Sequence, residues 1–203
     1  CMNNPVMCTD SSGHLPKWLT GMKRIITGIG AIVAGALVIA SGVALVPMLI
    51  VAGVTIAAGV LTTVNGVADI QQSITGDNFI RDNIFNGDQS SYNLYAGITE
   101  GIATIGSIIC GGWYKANQPR IQAYKNVANY SQTKTVANHA DRAYNNSVLL
   151  QKQIIKYGKM TKDLETSTGY VFKAVGALNG TEKFWRLVLS NADEIILHFC
   201  FGC

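Results

Sequence analysis

Charged residues are scarce in this chain and are absent from one long part of it. Of the 203 residues, 14% are charged, against roughly 25% in an average globular protein. No Asp, Glu, Lys or Arg occurs between Ile25 and Ala68. Because 48% of the residues are apolar, the composition excludes an intrinsically disordered protein. Five cysteines in this length are too few for a small disulfide-rich scaffold.

Several common catalytic and binding motifs are also missing. The sequence has no Walker loop, no GxSxG nucleophile elbow, no HExxH zinc motif and no calcium-binding loop. One CxxC pair, Cys200 with Cys203, lies beside His198, but a structural zinc site normally has a second pair. Only Cys1 and Cys8 could supply that pair, from the other end of the chain. The sequence therefore predicts no bound metal and no other cofactor.

The charge-free region is long enough for two helices. A membrane-spanning helix needs about 20 apolar residues, and Ser41, Gly42 and Pro47 divide the region into residues 22–45 and 48–65. The pattern predicts an apolar helical hairpin over residues 22–64 that enters or lies against membranes. Two alternatives stay open, namely a secretory signal, whose apolar core is shorter, and a helix pair buried in a soluble protein.

Small residues recur at helical spacing in this region and predict where the two helices touch. They are Ala36, Ala40 and Ala44 in the first helix, and Gly53 and Ala57 in the second. In lipid, a face of small residues lets two helices approach closely. A third apolar segment, residues 94–113, contains the weak GxxxG signal of Gly97 and Gly101.

The middle of the chain is strongly basic. Residues 115–162 contain nine Lys or Arg residues and a single acid, Asp141. Residues 117–138 are predicted as a basic helical linker, and residues 139–157 as a helix that ends at Gly158. Four lysines near the end of that helix suit a phosphate-rich partner, although lysines at a helix C-terminus also complement the helix dipole.

The last third of the chain has the alternating pattern of β-strands. Residues 170–178 and 181–189 flank Asn179-Gly180, a strong hairpin signal, and residues 194–201 follow as a third strand. We therefore predict an α+β protein with an apolar helical N-terminal half. Its small C-terminal domain contains a helix and a three-stranded antiparallel sheet. The predicted domains are 1–116, 117–138 and 139–203.

The predicted hairpin register places Lys173 directly opposite Arg186, away from the apolar face. Like charges at such positions destabilise a hairpin, so a bound anion would account for them. The register of the third strand stays open. A tight turn puts His198 on the face of Trp185, whereas a one-residue slip puts it on the face of Lys173 and Arg186.

A histidine beside several cations is suited to cleaving RNA without a metal ion. One group takes the proton from the ribose 2′-OH, another protonates the leaving oxygen, and cations stabilise the phosphorane. The predicted catalytic residues are His198, Arg186 and Lys173, and the predicted phosphate-binding residues are Lys156, Lys159 and Lys162.

Several strings carry a family resemblance. They are Thr63-Val-Asn-Gly-Val-Ala-Asp69, Asn78-Phe-Ile-Arg-Asp82, Ile109-Cys-Gly-Gly-Trp113, Ser147-Val-Leu-Leu-Gln-Lys152, Ile155-Lys-Tyr-Gly-Lys-Met-Thr-Lys-Asp163, Asn179-Gly-Thr-Glu-Lys183 and His198-Phe. With the apolar and basic regions, they resemble the C-terminal region of bacterial polymorphic toxins, especially Rhs-type toxins of Gram-positive bacteria. The resemblance implies a secreted or cell-surface protein used in competition between bacteria, with a membrane-associated pre-toxin segment before a small toxin domain.

The resemblance also implies partners. These are an RNA substrate, a membrane, a cognate immunity protein and the remainder of a larger parent toxin. At the level of fold, the C-terminal domain is similar to the ribonucleases that include barnase and the RelE toxins. Two other functions stay open, namely a pore-forming toxin and a non-enzymatic anchoring or interaction module of a surface protein.

Overall fold

The protein combines an all-helical part with a part built around a sheet. The computed structural model describes residues 16–138 and 142–203. Contacts divide them into two units. Unit 1 contains residues 16–40 and Leu45–Trp113, and unit 2 contains Ser41–Ala44 with the described part of Tyr114–Cys203. The predicted α+β class with a helical N-terminal half is confirmed.

Unit 1 is formed by four helices. They are α1 (Lys17–Ala40), α2 (Val46–Thr75), α3 (Phe79–Ile84) and α4 (Gln89–Ala116). Pro47 lies in the first turn of α2, where its missing N–H would have no partner in the helix anyway. Gly76 ends α2 in the left-handed conformation, which glycine adopts without steric cost. The predicted hairpin is present as α1 and α2. Helix α1 both begins and ends earlier than the run predicted for it, whereas α2 extends beyond its run at both ends.

Helices α1 and α2 touch backbone to backbone through small residues spaced seven apart. They are Gly21, Gly28 and Gly35 on α1, and Ala52, Gly59 and Gly66 on α2. A Cβ atom added at Gly28 would lie 2.5 Å from the carbonyl oxygen of Gly59, and one at Gly59 would lie 2.7 Å from that of Gly28. A seven-residue repeat on both partners is typical of helices that pack at a small crossing angle.

The small residues predicted to form this contact lie elsewhere. Ala36, Ala40, Gly53 and Ala57 are exposed, and Ala44 is buried but lies beyond the end of α1, in unit 2. Within the described residues, a Cβ added at Gly53, Gly97 or Gly101 would meet no atom within 4 Å. The predicted contact face was therefore wrong, because small residues occur on several sides of these helices and composition alone does not select one.

Unit 2 contains a five-stranded sheet. Its helices are α5 (Gln118–Asn126), α6 (Lys134–Ala137) and α7 (Val148–Tyr157), with 3₁₀ turns at Val127–Asn129 and Ala143–Asn146. Its strands are β1 (Ser131–Gln132), β2 (Lys159–Lys162), β3 (Gly169–Leu178), β4 (Thr181–Ser190) and β5 (Ile195–Phe201). The strand order is β1-β5-β4-β3-β2. Strands β1 and β5 are parallel, and the other neighbours are antiparallel.

The core of unit 2 lies between one face of the sheet and the helices. Phe172, Leu187 and Phe199 are buried there against Ile154 and Ile155 of α7. Burial of each such side chain contributes about 1.5–3 kcal/mol, so the core fixes which face of each strand points inward. Residues on the opposite side, which we call the open face, include the exposed Lys159, Lys173, Val175 and Phe184.

The sheet has five strands, whereas the sequence predicted three. Strand β2 escapes prediction because its lysines resemble the end of a helix, although Gly158 already ends α7. Strand β1 has only two residues and pairs in parallel with β5, so no alternation reveals it. Residues 117–138, predicted as a linker, contribute α5, α6 and β1 to unit 2. The predicted helical residues 139–141 lie outside the described residues.

Buried polar groups anchor the turn between β4 and β5. The Oη of Tyr130 donates a hydrogen bond to Oδ1 of Asn191 at 2.9 Å, and Nδ2 of Asn191 donates to the carbonyl oxygen of Pro119 at 2.8 Å. Burial, assisted by the charge of Glu194, raises the pKa of Tyr130 to about 12. Tyr130 therefore stays a neutral hydrogen-bond donor through the physiological pH range.

Candidate functional site

The structure contains the β5 register that puts His198 on the open face. Val188 pairs with His198, which lies two residues from Cys200, the partner of Arg186. A β-bulge follows Val188, and such a bulge inserts an extra residue that shifts the alternation of side chains. His198 therefore shares a face with Arg186 and not with the buried Trp185.

Three cations lie side by side across strands β2, β3 and β4. Lys159 pairs with Lys173, and Lys173 pairs with Arg186 as predicted. Directly opposed residues of antiparallel strands point to the same face, with Cβ atoms about 4.5–5.5 Å apart. We call these three residues the cation row. Within the described part of unit 2, no Lys or Arg forms an ion pair with an acid, so the row contains three cations that are not held in salt bridges.

A cavity of about 320 Å³ joins the cation row to His198. Its lining is Asp163, Glu165, Thr166, Arg186, Val188, Leu197 and His198. The volume is at the lower end of the range of roughly 300–1,000 Å³ for small-molecule sites. The Nε of Arg186 is buried and has no hydrogen-bond partner among the described residues. Because an unsatisfied buried donor costs about 1–3 kcal/mol, a ligand oxygen that accepts a hydrogen bond from this N–H would be favoured.

Two carboxylates of this cavity were not predicted. Asp163 and Glu165 come from the loop between β2 and β3. Thr166 Oγ1 donates to Asp163 Oδ2 at 2.5 Å, and the Asp163 N–H donates to the Gly169 carbonyl at 2.9 Å, so Asp163 holds the loop in shape. Glu165 is exposed and is the better placed carboxylate to act on a ligand. The only sequence signal for it is an acid soon after the lysine-rich strand.

The three lysines predicted to bind phosphate lie in different places. Lys159 belongs to the cation row. Lys162 lines a separate cavity of about 500 Å³ that also includes Tyr170. Lys156 is on α7, with its Nζ 5.5 Å from the ring centre of Tyr157. Of these lysines, the structure therefore brings Lys159 alone together with the predicted catalytic cations.

The C-terminal CxxC pair approaches His198. Cys200 and Cys203 form a disulfide, and Cys203 Sγ lies 3.8 Å from His198 Nε2. Cys200 is buried directly opposite Arg186, whereas Cys203 is exposed. The disulfide is therefore part of the surroundings of the candidate site. Cys1 and Cys8, which were considered as a second metal-binding pair, lie outside the described residues.

Unit 1 contains a separate group of polar side chains in its interior. Arg24 of α1 forms ion pairs with Asp69 of α2 and, at 3.3 Å, with Glu100 of α4. Tyr92 Oη donates to Asp69 Oδ1 at 2.8 Å, and Lys23 Nζ lies 2.9 Å from Glu100 Oε1. Arg24 and Asp69 are only 8% and 4% exposed. The network therefore connects α1, α2 and α4 through buried charges.

The outer surface of unit 1 is apolar. Side chains that are 52–68% exposed include Ile26, Val33, Ile50, Leu94 and Ile105. Helices α1, α2 and α4 are each long and apolar enough to cross a membrane. The interior of unit 1 thus combines small residues with a buried ion pair, while many larger apolar side chains lie on its surface, an arrangement that is unusual for a soluble helical protein.

Comparisons of the chain with protein-family models, curated proteins and solved structures find no match. The site itself brings His198, Arg186 and Glu165 to one cavity, and Arg186 is also a member of the cation row.

Proposed function

We propose that unit 2 is a metal-independent ribonuclease. We also propose that the chain is the C-terminal segment of a secreted or cell-surface polymorphic toxin used in competition between bacteria. The observation that carries the first proposal is the cavity shared by His198, Arg186 and Glu165. Arg186 of this cavity also belongs to the cation row with Lys159 and Lys173, and such a row suits the phosphates of a single RNA strand.

Cleavage of RNA at this site would need a base, an acid and positive charge at the scissile phosphate. Glu165 would take the proton from the 2′-OH, whose oxygen attacks phosphorus, and protonated His198 would give a proton to the leaving 5′ oxygen. Arg186 and Lys173 would stabilise the charge on the phosphorane oxygens. The products would be a 2′,3′-cyclic phosphate and a free 5′-hydroxyl, with no metal ion in any step.

The full chain is expected to cleave RNA in excess EDTA and to bind RNA through the cation row. Binding would be measured with 2′-O-methyl RNA, which lacks the attacking hydroxyl, at several salt concentrations. Each phosphate contact to a single strand contributes about 0.7 to the slope of log K against log salt. Lys159→Gln and Lys173→Gln should therefore each reduce the slope by about that amount.

Lys125→Gln is the matched control, because Lys125 is exposed on α5, away from the open face. For this variant, the slope of log K against log salt should equal that of the unmodified chain. RNA that stays intact in EDTA would contradict the ribonuclease proposal. An equal change of slope in all three variants would contradict binding at the cation row.

We further propose that unit 1 enters or lies against membranes. The observation in favour is the combination of buried charges, such as Arg24 and Asp69, with an outer surface of exposed Ile, Leu and Val side chains. In lipid, polar side chains are stable where they pair inside the helix bundle. The same combination would expose a large apolar area to water, which is unusual for a soluble monomer.

The full chain is expected to float with liposomes in a density gradient. Ile26→Asp and Ile105→Asp should lower the bound fraction strongly, because an acid at the centre of a membrane-spanning helix costs about 2.5–3.5 kcal/mol. Val175→Asp is the control, since Val175 is also exposed but lies in unit 2. A chain that stays in the soluble fraction at several pH values would contradict the proposal. Release of a trapped dye would favour the pore-forming function.

A further inference from the structure

Three metal-binding side chains meet at the C-terminal end of β5. Potential ligand atoms of His198, Cys200 and Cys203 all lie within 4.8 Å of one another, and Cys203 Sγ is 3.8 Å from His198 Nε2. In a tetrahedral zinc site, with Zn–S of about 2.3 Å and Zn–N of about 2.0 Å, a sulfur and a nitrogen ligand lie about 3.5 Å apart. The spacing therefore fits one zinc ion after small side-chain movements.

A backbone hydrogen bond fixes the turn that carries the two cysteines. The Gly202 N–H donates to the Phe184 carbonyl at 2.9 Å, which fastens the turn to β4. Gly202 has φ of 79°, a left-handed conformation that suits glycine. The Cα atoms of Cys200 and Cys203 lie 6.2 Å apart. The turn therefore keeps both sulfurs beside His198.

We propose that the chain, once its disulfide is reduced, binds one zinc ion through His198, Cys200 and Cys203. A dithiol reductant supplies two electrons and two protons, so that its own sulfurs become a disulfide and the two cysteines become thiols. Zinc then displaces both thiol protons and binds two thiolates and the imidazole Nε2. Water completes the four ligands, as in catalytic zinc sites with three protein ligands.

Zinc at this position has a consequence for the proposed reaction. The ion takes the lone pair of His198 Nε2, so this histidine can no longer carry and donate the proton that cleavage needs. Zinc therefore inhibits cleavage of RNA, and a chelator restores it. This inhibition rests on the proposed ribonuclease function, whereas zinc binding itself does not.

In the test, the full chain is reduced with a phosphine and then competes with a chromogenic chelator for added zinc. The absorbance of the chelator gives the number of zinc ions bound and their affinity. We expect one zinc ion per chain, and cobalt in its place should give a thiolate-to-metal charge-transfer band. Loss of an outer-shell partner weakens metal binding by about 10–100-fold, so loss of a direct ligand should weaken it by more than about 100-fold. Cys203→Ser and His198→Gln are the two informative variants.

The matched control replaces the other cysteines, as Cys1→Ser, Cys8→Ser and Cys110→Ala together. This variant should bind zinc as the unmodified chain does. Cys203 is exposed, so its replacement should preserve the circular dichroism spectrum. Failure of the reduced chain to bind zinc, or unchanged affinity in Cys203→Ser, would overturn the proposal. If the reduced chain binds zinc but the zinc-free chain leaves RNA intact, the ribonuclease function is refuted and the zinc site is supported.

Discussion

Replacement of His198 by alanine is expected to slow RNA cleavage by the full chain by about 10²–10⁴-fold, the usual contribution of a general acid or base. His198 is half-buried at the cavity and lies outside the aromatic core of unit 2. The fold should therefore survive the change. The measurement is the single-turnover rate of RNA cleavage in EDTA, with circular dichroism and thermal unfolding to verify the fold.

The loop that carries Glu165 offers a matched pair of variants for the same assay. Glu165→Gln should reduce the cleavage rate by a factor similar to that of His198→Ala, because the proton of the 2′-OH then has no acceptor. Leu164→Ala changes the neighbouring residue, which is fully exposed, and should leave the rate unchanged. Full activity in a folded His198→Ala variant would refute the proposed chemistry and leave the membrane proposal standing alone.

Arg24→Met is expected to lower the free energy of unfolding of unit 1 by about 3–5 kcal/mol, the usual cost of removing one partner from a buried ion pair. The variant leaves the buried Asp69 with Tyr92 as its hydrogen-bond donor but without the positive charge of Arg24. Hydrogen exchange of the α1 and α2 amides measures this loss, because it separates opening of unit 1 from opening of unit 2.

Lys23→Met is the matched control for Arg24→Met. Lys23 is the neighbouring cation on the same helix and also pairs with Glu100, but its side chain is 65% exposed. An exposed ion pair contributes about 0–1 kcal/mol, so the loss should be small. The double variant Arg24→Met with Asp69→Asn should recover much of the stability, because no uncompensated buried charge remains at Asp69. Equal losses in Arg24→Met and Lys23→Met would contradict the assigned role of the buried pair.

The parts of the site that could be predicted are those fixed by short-range pairing. A two-residue turn at Asn179-Gly180, with φ of 51° and 77°, determines every pair along the hairpin. The opposition of Lys173 and Arg186 follows from that turn alone. The charge-free region likewise predicts the hairpin of α1 and α2, since each long apolar run favours a helix and Ser41, Gly42 and Pro47 separate the two runs.

The parts that could not be predicted depend on contacts between distant segments. The side of the sheet that His198 occupies is set by the bulge after Val188, and no local pattern indicates a bulge there. Lys159 joins the cation row because β2 pairs with β3, although its sequence resembles a helix end. Glu165 reaches the cavity through the shape of a loop, which alternation of apolar and polar residues does not describe.

The line of small residues where α1 and α2 touch, which we call the seam, divides the glycines of unit 1 into two classes. Glycines in the seam and glycines outside it differ in how freely they can change over evolution. At Gly28, any larger residue would collide with the Gly59 backbone and the Thr63 side chain, so a change there would require correlated changes on the other helix. Gly30 on the same helix has open space around it, and replacing it by alanine would stabilise the helix by about 1 kcal/mol. Descendants of this sequence can thus exchange one apolar residue for another on the outer surface of the hairpin while inheriting an almost invariant seam.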